Sequence, residues 1–318
     1  MPKPVLFVSR RLPASIEALA GQDFAARLTA SDVAITGLAA QAAGADAILC
    51  CPGDMLNAET IAALPASVKV IGTFSVGYDH IDVAAAKARG IKVCNTPDVL
   101  SVATAECAML LILAAARRAG EGERLVRSGS WEGWAPTQLL GTQVSGRHLG
   151  IFGMGRIGRE IARMARGFEM EIHYRDMTRL PPDLEKGAIF HDSDESFLPI
   201  CQFLSLNAPG GDGTRHWLDR DRIAQLPRGA VVVNAARGTL VDDAALIAAL
   251  QSGQVAAAGL DVYNGEPAVH PDYLTLENVV LLPHLGSATT ETRDAMGRVV
   301  LAGIGAILAG ETPSNLVV

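Results

Sequence analysis

Short apolar runs alternate with longer stretches of helical periodicity along most of the chain. The runs expected as strands are residues 5–8, 47–50, 68–73 and 92–94, followed by 149–152, 171–174, 189–191, 203–206, 231–234, 258–261 and 279–282. Each is short and dominated by Val, Ile, Leu and Ala, and helix-like patterns separate them. That alternation predicts βα units and parallel sheets, in two series and therefore two α/β lobes. Residues 99–118 form a long pattern free of Pro and Gly, which predicts a helix. Pro97 and Asp98 stand where a helix is entered. Residues 121–142 carry Gly122, Gly129, Gly133, Pro136 and Gly141 and are expected as a loop or short-helix region. Residues 289–308 repeat the helical pattern near the end of the chain. Two long helices flanking the second series imply a discontinuous first lobe, residues 1–98 with 286–318, around a second lobe of residues 99–285.

Composition narrows the class. The 318 residues are 49% apolar but only 5% aromatic, so the core must be aliphatic, as in helix-covered parallel sheets. A formal net charge of −7 disfavours nucleic acid and anionic membrane surfaces as partners. Five cysteines cannot all pair, and their spacing matches no metal site, so free thiols in a reducing cytosol are expected and no metal is implied. No long apolar run follows the charges of the first eleven residues, so no signal peptide is expected. The longest apolar stretch, residues 99–116, contains Glu106 and ends on Arg117 and Arg118, the pattern of a buried helix rather than a membrane span.

The run at 149–152 leads directly into Gly153-Met154-Gly155-Arg156-Ile157-Gly158, and a helical pattern follows at 159–166. Gly153 permits a tight turn, Gly155 lets the backbone approach a pyrophosphate, and Gly158 lets the helix pack close to the strand. Asp176 stands 18 positions beyond Gly158, near the spacing of the acid that holds the adenosine ribose. A carboxylate there favours NAD(H). Arg175 and Arg179 favour NADP(H), since either could pair with a 2′-phosphate. Both cofactors stay open, with NAD(H) ahead.

Three later segments place a polar residue at the end of an apolar run, where open α/β sheets carry their sites. Arg237 is the charge in the turn Ala235-Ala236-Arg237-Gly238, suited to holding a carboxylate by two hydrogen bonds. Asp261 closes a run, and Glu266 precedes Pro267. His284 follows the run at 279–282. Hydride transfer to a keto acid needs a cation for the carboxylate, an acid for the developing alkoxide, and a carboxylate that keeps that acid protonated. Arg237, His284 and Glu266 supply those three types.

These motifs together resemble the D-2-hydroxyacid dehydrogenases, and the resemblance spans nearly the whole chain. It is carried by Asn234-Ala235-Ala236-Arg237-Gly238-Thr239, the stretch from Gly259 to Pro267, Pro283-His284-Leu285-Gly286-Ser287, and Ser75-Val76-Gly77-Tyr78-Asp79. Trp131-Glu132-Gly133-Trp134-Ala135-Pro136 is similar to the glyoxylate and hydroxypyruvate reductase branch. The resemblance implies a flavodoxin-like substrate lobe and a Rossmann lobe that close on each other, a cytoplasmic homodimer, and reduction of a small 2-keto acid to the D-2-hydroxy acid. It implies Arg237 as carboxylate holder, His284 as general acid and Glu266 as its partner. Val76, Gly77 and Trp134 would line the substrate. The cofactor set would be Thr104, the loop Gly153 to Gly158, Arg175, Asp176, Asn207, Ala235, Asp261, His284 and Gly286. NADPH-using reductases of this branch commonly carry Asn then Arg after the second-strand tyrosine, whereas here Arg175 comes first and Asp176 takes the Asn position. Rival readings are a relative acting on another D-2-hydroxy acid, on phosphoglycerate or on phosphite, and a dinucleotide-sensing binding protein without catalysis.

Overall fold

Every strand pairing in the two sheets is parallel. Parallel neighbours cannot be joined by a hairpin, so a crossover must separate them. The computed structural model describes residues 2–318. The chain divides into two units, one of residues up to Leu100 with Ala288–Val318, the other Ser101–Ser287.

The first unit runs β1 (Val5–Val8), α1 (Ala14–Asp23), β2 (Ala25–Leu28), α2 (Leu38–Gln41), β3 (Ala47–Cys50), α3 (Ala58–Ala63), β4 (Val70–Thr73), α4 (Val83–Ala88) and β5 (Lys92–Cys94). Its strand order is β2-β1-β3-β4-β5, a flavodoxin-like arrangement. The second unit begins with α5 (Ser101–Ala116) and α6 (Ala119–Arg127), then β6 (His148–Phe152), α7 (Arg156–Ala165) and β7 (Glu171–Arg175). It continues with α8 (Pro182–Glu185), β8 (Ile189–His191), α9 (Asp194–Phe197), β9 (Phe203–Leu206), α10 (Arg220–Gln225), β10 (Ala230–Asn234), α11 (Asp243–Ser252), β11 (Val255–Leu260) and β12 (Val279–Leu281). Its order is β12-β11-β10-β9-β6-β7-β8. The chain winds outward from β6 to β8, then restarts at β9 on the other side, so the topological switch lies between β6 and β9. Finally α12 (Thr290–Leu308) returns to the first sheet, where Ile304 packs against Gly72 of β4. The tail follows it: Val317 donates its amide to Val93 O of β5 at 2.7 Å.

The strands expected from apolar runs are all present. One strand was not expected: β2 reads Ala-Ala-Arg-Leu, lies at a sheet edge and is largely exposed, so it carries no apolar run to betray it. Two helical limits differ from expectation. α7 starts at Arg156, inside the glycine loop rather than after it. Within the stretch expected as loop or short helix, α6 is a nine-residue helix with no buried residue, braced by Arg118–Glu121 and Arg127–Glu123 ion pairs.

The central strands of the second sheet are mostly apolar because both faces are covered. Val231 and Val233 of β10 point into one core with Leu149, Ile151 and Leu111, while Val232 points into the other with Leu204, Leu206 and Leu246. Helix α5 lies close over β11 because Gly259 has no side chain: a Cβ there would sit 2.8 Å from Cβ of Leu111. The five cysteines are free, four of them buried and Cys51 half-buried. Burial pushes the Cys94 and Cys107 thiols up to about 12, so neither is a thiolate near neutrality. No helix among the described residues is long and apolar enough to cross a membrane.

Leu111 is completely buried between α5 and the sheet. Leu111→Ala removes its methyl groups and leaves a cavity, which should cost about 2–5 kcal/mol. A lowered urea midpoint with unchanged slope is the expected result.

Candidate active site

Parallel pairing sends the C-terminal ends of β6, β9, β10, β11 and β12 to one edge of the sheet. The glycine loop leaves β6 there. Gly153 has φ +94, a left-handed conformation that side chains disfavour, and a Cβ on it would come within 2.6 Å of Ala208 N. A Cβ on Gly158 would lie 2.3 Å from Gly153 O, so helix α7 can approach its own loop only with glycine there. Gly155 is the N-cap of α7 and has nothing within 4 Å of its Cβ position. Helices α3, α4, α10, α11 and α12 are capped by side chains of Asn57, Asp82, Asp219, Asp242 and Thr289. No side chain caps α7. Its first amides have no side-chain cap, and with the positive end of the helix dipole they form the arrangement that receives a pyrophosphate. The residues therefore fit a dinucleotide. Arg156 and Ile157 form the first turn of α7, and Met154 is buried behind the loop.

Asp176 follows β7 and accepts hydrogen bonds from the Met154 and Met177 amides, both at 2.7 Å. It thus ties the glycine loop to the end of the neighbouring strand. Arg175 donates from its guanidinium to the Asp176 carbonyl, and its Nε lies 3.5 Å from Asp194. Arg179 pairs with Glu185 at 2.9 Å, and Glu185 also accepts from the Tyr174 hydroxyl at 2.6 Å. Arg179 is thus engaged by a carboxylate, while the Asp176 carboxylate stays beside the loop. Asn207 follows β9 across the switch point, and its amide donates to Phe152 O at 2.7 Å, placing it against Gly153.

The three chemical segments meet at the ends of β10, β11 and β12. Asn234 is almost completely buried, accepts from the Ala236 amide at 3.0 Å and donates to Arg237 O at 2.8 Å. It shapes the turn that carries Ala235 and Arg237. Gly238 lets this turn touch the next segment: a Cβ there would overlap the Tyr263 carbonyl carbon at 1.9 Å. The Tyr263 amide donates to Glu266 Oε1 at 3.0 Å, and Glu266 Oε2 lies 2.7 Å from His284 Nδ1. The Glu266–Pro267 peptide is cis. Burial alone would raise the Glu266 carboxyl, but the His284 hydrogen bond and charge, the Tyr263 amide and the Arg237 charge outweigh it and hold the carboxyl below its usual range.

Asp261 holds the histidine in place. It is fully buried, and its two oxygens accept the Leu285 amide at 2.6 Å and the Gly286 amide at 2.8 Å. Its own carbonyl accepts from the His284 amide at 2.9 Å. Burial pushes its carboxyl up, and the two amides oppose that. His284 adopts φ 56, a left-handed conformation costly for a side-chain residue, and these three bonds stabilise it. Thr104 of α5 reaches the same point, since a Cβ on Gly286 would lie 3.3 Å from both Thr104 and Asp261.

In the first unit, the loop after β4 has its carbonyls engaged: Asn95 donates to Val76 O at 2.8 Å and Ser75 to Gly77 O at 2.6 Å. The planar peptide then turns the Gly77 amide away from Asn95. Trp134 is 82% exposed on the segment between α6 and β6, a surface side chain in this chain alone. One supporting residue is not among the sequence expectations: Asn234, though it has a signal, a polar residue closing an all-valine run. Asp261 is expected as a cofactor residue, but its anchoring of the His284 loop has no signal, because it joins positions 24 and 25 residues apart.

The fold and this edge define a dinucleotide-binding α/β oxidoreductase. Residues 109–286 match the family described as D-isomer specific 2-hydroxyacid dehydrogenase, NAD binding domain. The chain is 43% identical to glycerate dehydrogenase from Hyphomicrobium methylovorum over 314 residues, covering 98% of each. Among solved structures, a Polaromonas sp. JS6 66 protein assigned to the NAD-binding D-isomer specific 2-hydroxyacid dehydrogenases superposes with a TM-score of 0.94 at 50% identity, covering 100% of both chains. The NADPH-dependent glyoxylate/hydroxypyruvate reductase of Sinorhizobium meliloti, solved with NADP and malonate, gives 0.87 at 32% identity over 99% of this chain and 97% of that one. The chain belongs to the D-isomer-specific 2-hydroxyacid dehydrogenase family, NAD(P)-dependent oxidoreductases acting on CH–OH groups.

Glu266 also contributes a pH-dependent stability. Its folded pKa lies below its unfolded one, so its contribution is present above the unfolded value and is lost as pH falls through the folded value. Glu266→Gln should therefore be less stable than the parent near pH 7. The gap should narrow on acidification below about pH 4. Urea unfolding at a series of pH values measures it, and a gap that widens in acid would contradict the ion pair.

Proposed function

We propose that this chain reduces a small 2-keto acid, glyoxylate or hydroxypyruvate, to the D-2-hydroxy acid, glycolate or D-glycerate, with NAD(P)H. The observation that carries this reading is the 2.7 Å His284–Glu266 pair, next to the Arg237 turn and in the same unit as the uncapped α7. Relatives with glycerate dehydrogenase and glyoxylate/hydroxypyruvate reductase activities in their names support the substrate class.

The dihydronicotinamide, when bound, supplies the hydride that adds to the carbonyl carbon. Glu266 accepts a hydrogen bond from His284 Nδ1, which leaves Nε2 as the atom that passes a proton to the carbonyl oxygen. Arg237 holds the substrate carboxylate and polarises the carbonyl. The amides of Val76 and Gly77 take part in carboxylate binding, and Trp134 shapes the substrate's surroundings. Residues 1–98 with 286–318 act as the substrate-binding domain and 99–285 as the NAD(P)-binding domain. In that domain Thr104, the loop Gly153 to Gly158, Asp176, Asn207, Ala235, Asp261 and Gly286 line the cofactor. Asp176 favours NAD(H) because its carboxylate repels a 2′-phosphate, and the Glu185 partner of Arg179 supports the same preference. The protein acts as a homodimer, a reading favoured by the exposed Trp131, Trp134 and Leu140, and in the cytoplasm, a reading favoured by its free cysteines.

Steady-state turnover on glyoxylate, hydroxypyruvate, pyruvate and phenylpyruvate with each cofactor tests the reading. The first two should be the best substrates. His284→Ala should lose turnover while still binding cofactor. Arg237→Ala should lose a charge-assisted contact worth about 1.5–3 kcal/mol, seen as roughly 10- to 150-fold lower kcat/KM. Undiminished turnover in either variant would overturn its role. Asp176→Ala should shift the NADH-to-NADPH ratio of kcat/KM toward NADPH. An unchanged ratio would assign cofactor choice to another residue.

A further inference from the structure

A second polar cluster lies at the opposite end of the same sheet, away from the cofactor loop. His148 and Glu171 open the paired strands β6 and β7, and His173 follows two residues along β7 on the same face. His148 Nδ1 lies 3.2 Å from His173 Nε2. Glu171 Oε1 lies 3.0 Å from His173 Nε2 and 3.7 Å from His148 Nδ1. Three donor atoms of the kinds that ligate zinc thus form a small triangle. A tetrahedral ion with ligands at about 2.0–2.1 Å has neighbouring ligand atoms about 3.3 Å apart, so the triangle has the size of one face of that tetrahedron.

The hydrogen bonds behind the triangle point the same way. His173 Nδ1 meets His191 Nε2 at 3.0 Å, and His191 Nδ1 meets Ser196 Oγ at 3.2 Å. Ser196 Oγ also lies 3.1 Å from Ser193 O, a carbonyl that can only accept. In the arrangement where the Ser196 proton goes to that carbonyl, His191 donates from Nδ1 to Ser196 and accepts at Nε2, and His173 donates from Nδ1. That leaves the lone pair of His173 Nε2 facing both Glu171 and His148. A proton on His148 Nδ1 can serve the His173 contact but leaves acceptor facing acceptor at 3.0 Å between Glu171 and His173. A cation at the centre satisfies all three. The chain from His173 through His191 to Ser196 then orients the inner ligand, as second-layer hydrogen bonds do at metal sites.

We propose that His148 Nδ1, His173 Nε2 and Glu171 Oε1 bind one divalent transition-metal ion of the zinc class, with water at the fourth position. Two imidazoles and one carboxylate suit zinc over magnesium or calcium, which prefer all-oxygen shells. The side chains of His148 and Glu171 are 39% and 54% exposed and that of His173 is 5% exposed, so ions have access and the inner ligand is rigid. The five-residue strand β6 separates the site from the glycine loop by roughly 13 Å, which makes the ion a clamp on the β6–β7 pair rather than a participant in hydride transfer.

The test uses the full chain, stripped with a chelator and titrated with Co2+ while its visible d–d absorption is recorded. One equivalent should give the intense band of four-coordinate Co2+, and Zn2+ should displace it. His148→Ala and Glu171→Gln should each weaken binding at least tenfold, while His284→Ala should titrate as the parent does. Both test positions are half-exposed at strand starts, and circular dichroism checks their folding. If His148→Ala were to unfold, Glu171→Gln alone decides. No band in the parent, parent-like affinity in the folded variants, or loss only in His284→Ala would overturn the site.

Discussion

Parallel strand pairing is the constraint on which the rest of this structure depends. It forces a crossover between every pair of neighbours, and it aligns the carboxyl ends of seven strands along one edge of the second sheet. Residues 153, 207, 237, 261 and 284 are scattered through the sequence, yet each follows a strand and arrives at that edge. The reversal of winding between β6 and β9 then separates the loops on its two sides and leaves the end of β6 open to a ligand. The glycines work within this frame. They allow α7 to start at the loop, with amides that no side chain occupies.

Asp261 shows how a buried charge can organise a site without being the reacting group. Its desolvation is unfavourable, and the two amides of Leu285 and Gly286 offset it. In exchange the histidine loop is held in a left-handed turn that it would not adopt alone. The imidazole is aimed by the backbone on one side and by Glu266 on the other. Asn234 serves the Arg237 turn in the same manner. Both supports are short polar side chains at the ends of largely buried strands, where the last backbone groups of the sheet have no further ladder to join.

The elements legible in the sequence were those whose burial imposes a pattern. Strands covered on both faces are apolar at most positions, so β3, β6, β9 and β10 announce themselves. β2, at an edge with most of its surface in water, has no such requirement and was missed. α6 is legible only as a glycine-containing stretch, because Gly120 and Gly122 lie within it and none of its residues is buried. Arg237, Glu266 and His284 could be singled out because chemistry demands those side chains after strands, and a family resemblance sharpened their roles. The anchoring role of Asp261, set by contacts 24 and 25 residues away, could not.

The sequence by itself determined the alternation of strand and helix, the aliphatic core, the dinucleotide loop and the identity of the chemical groups. These follow from burial patterns and residue chemistry, which are local properties. Only the tertiary structure decided which groups meet. It set the Glu266–His284 pairing and the Met154–Asp176 link, and it placed His148, Glu171 and His173 in one triangle. The last is instructive, since no spacing in the chain marks residues 148, 171 and 173 as a set. Register between β6 and β7 places them side by side, and register is a property of the folded sheet.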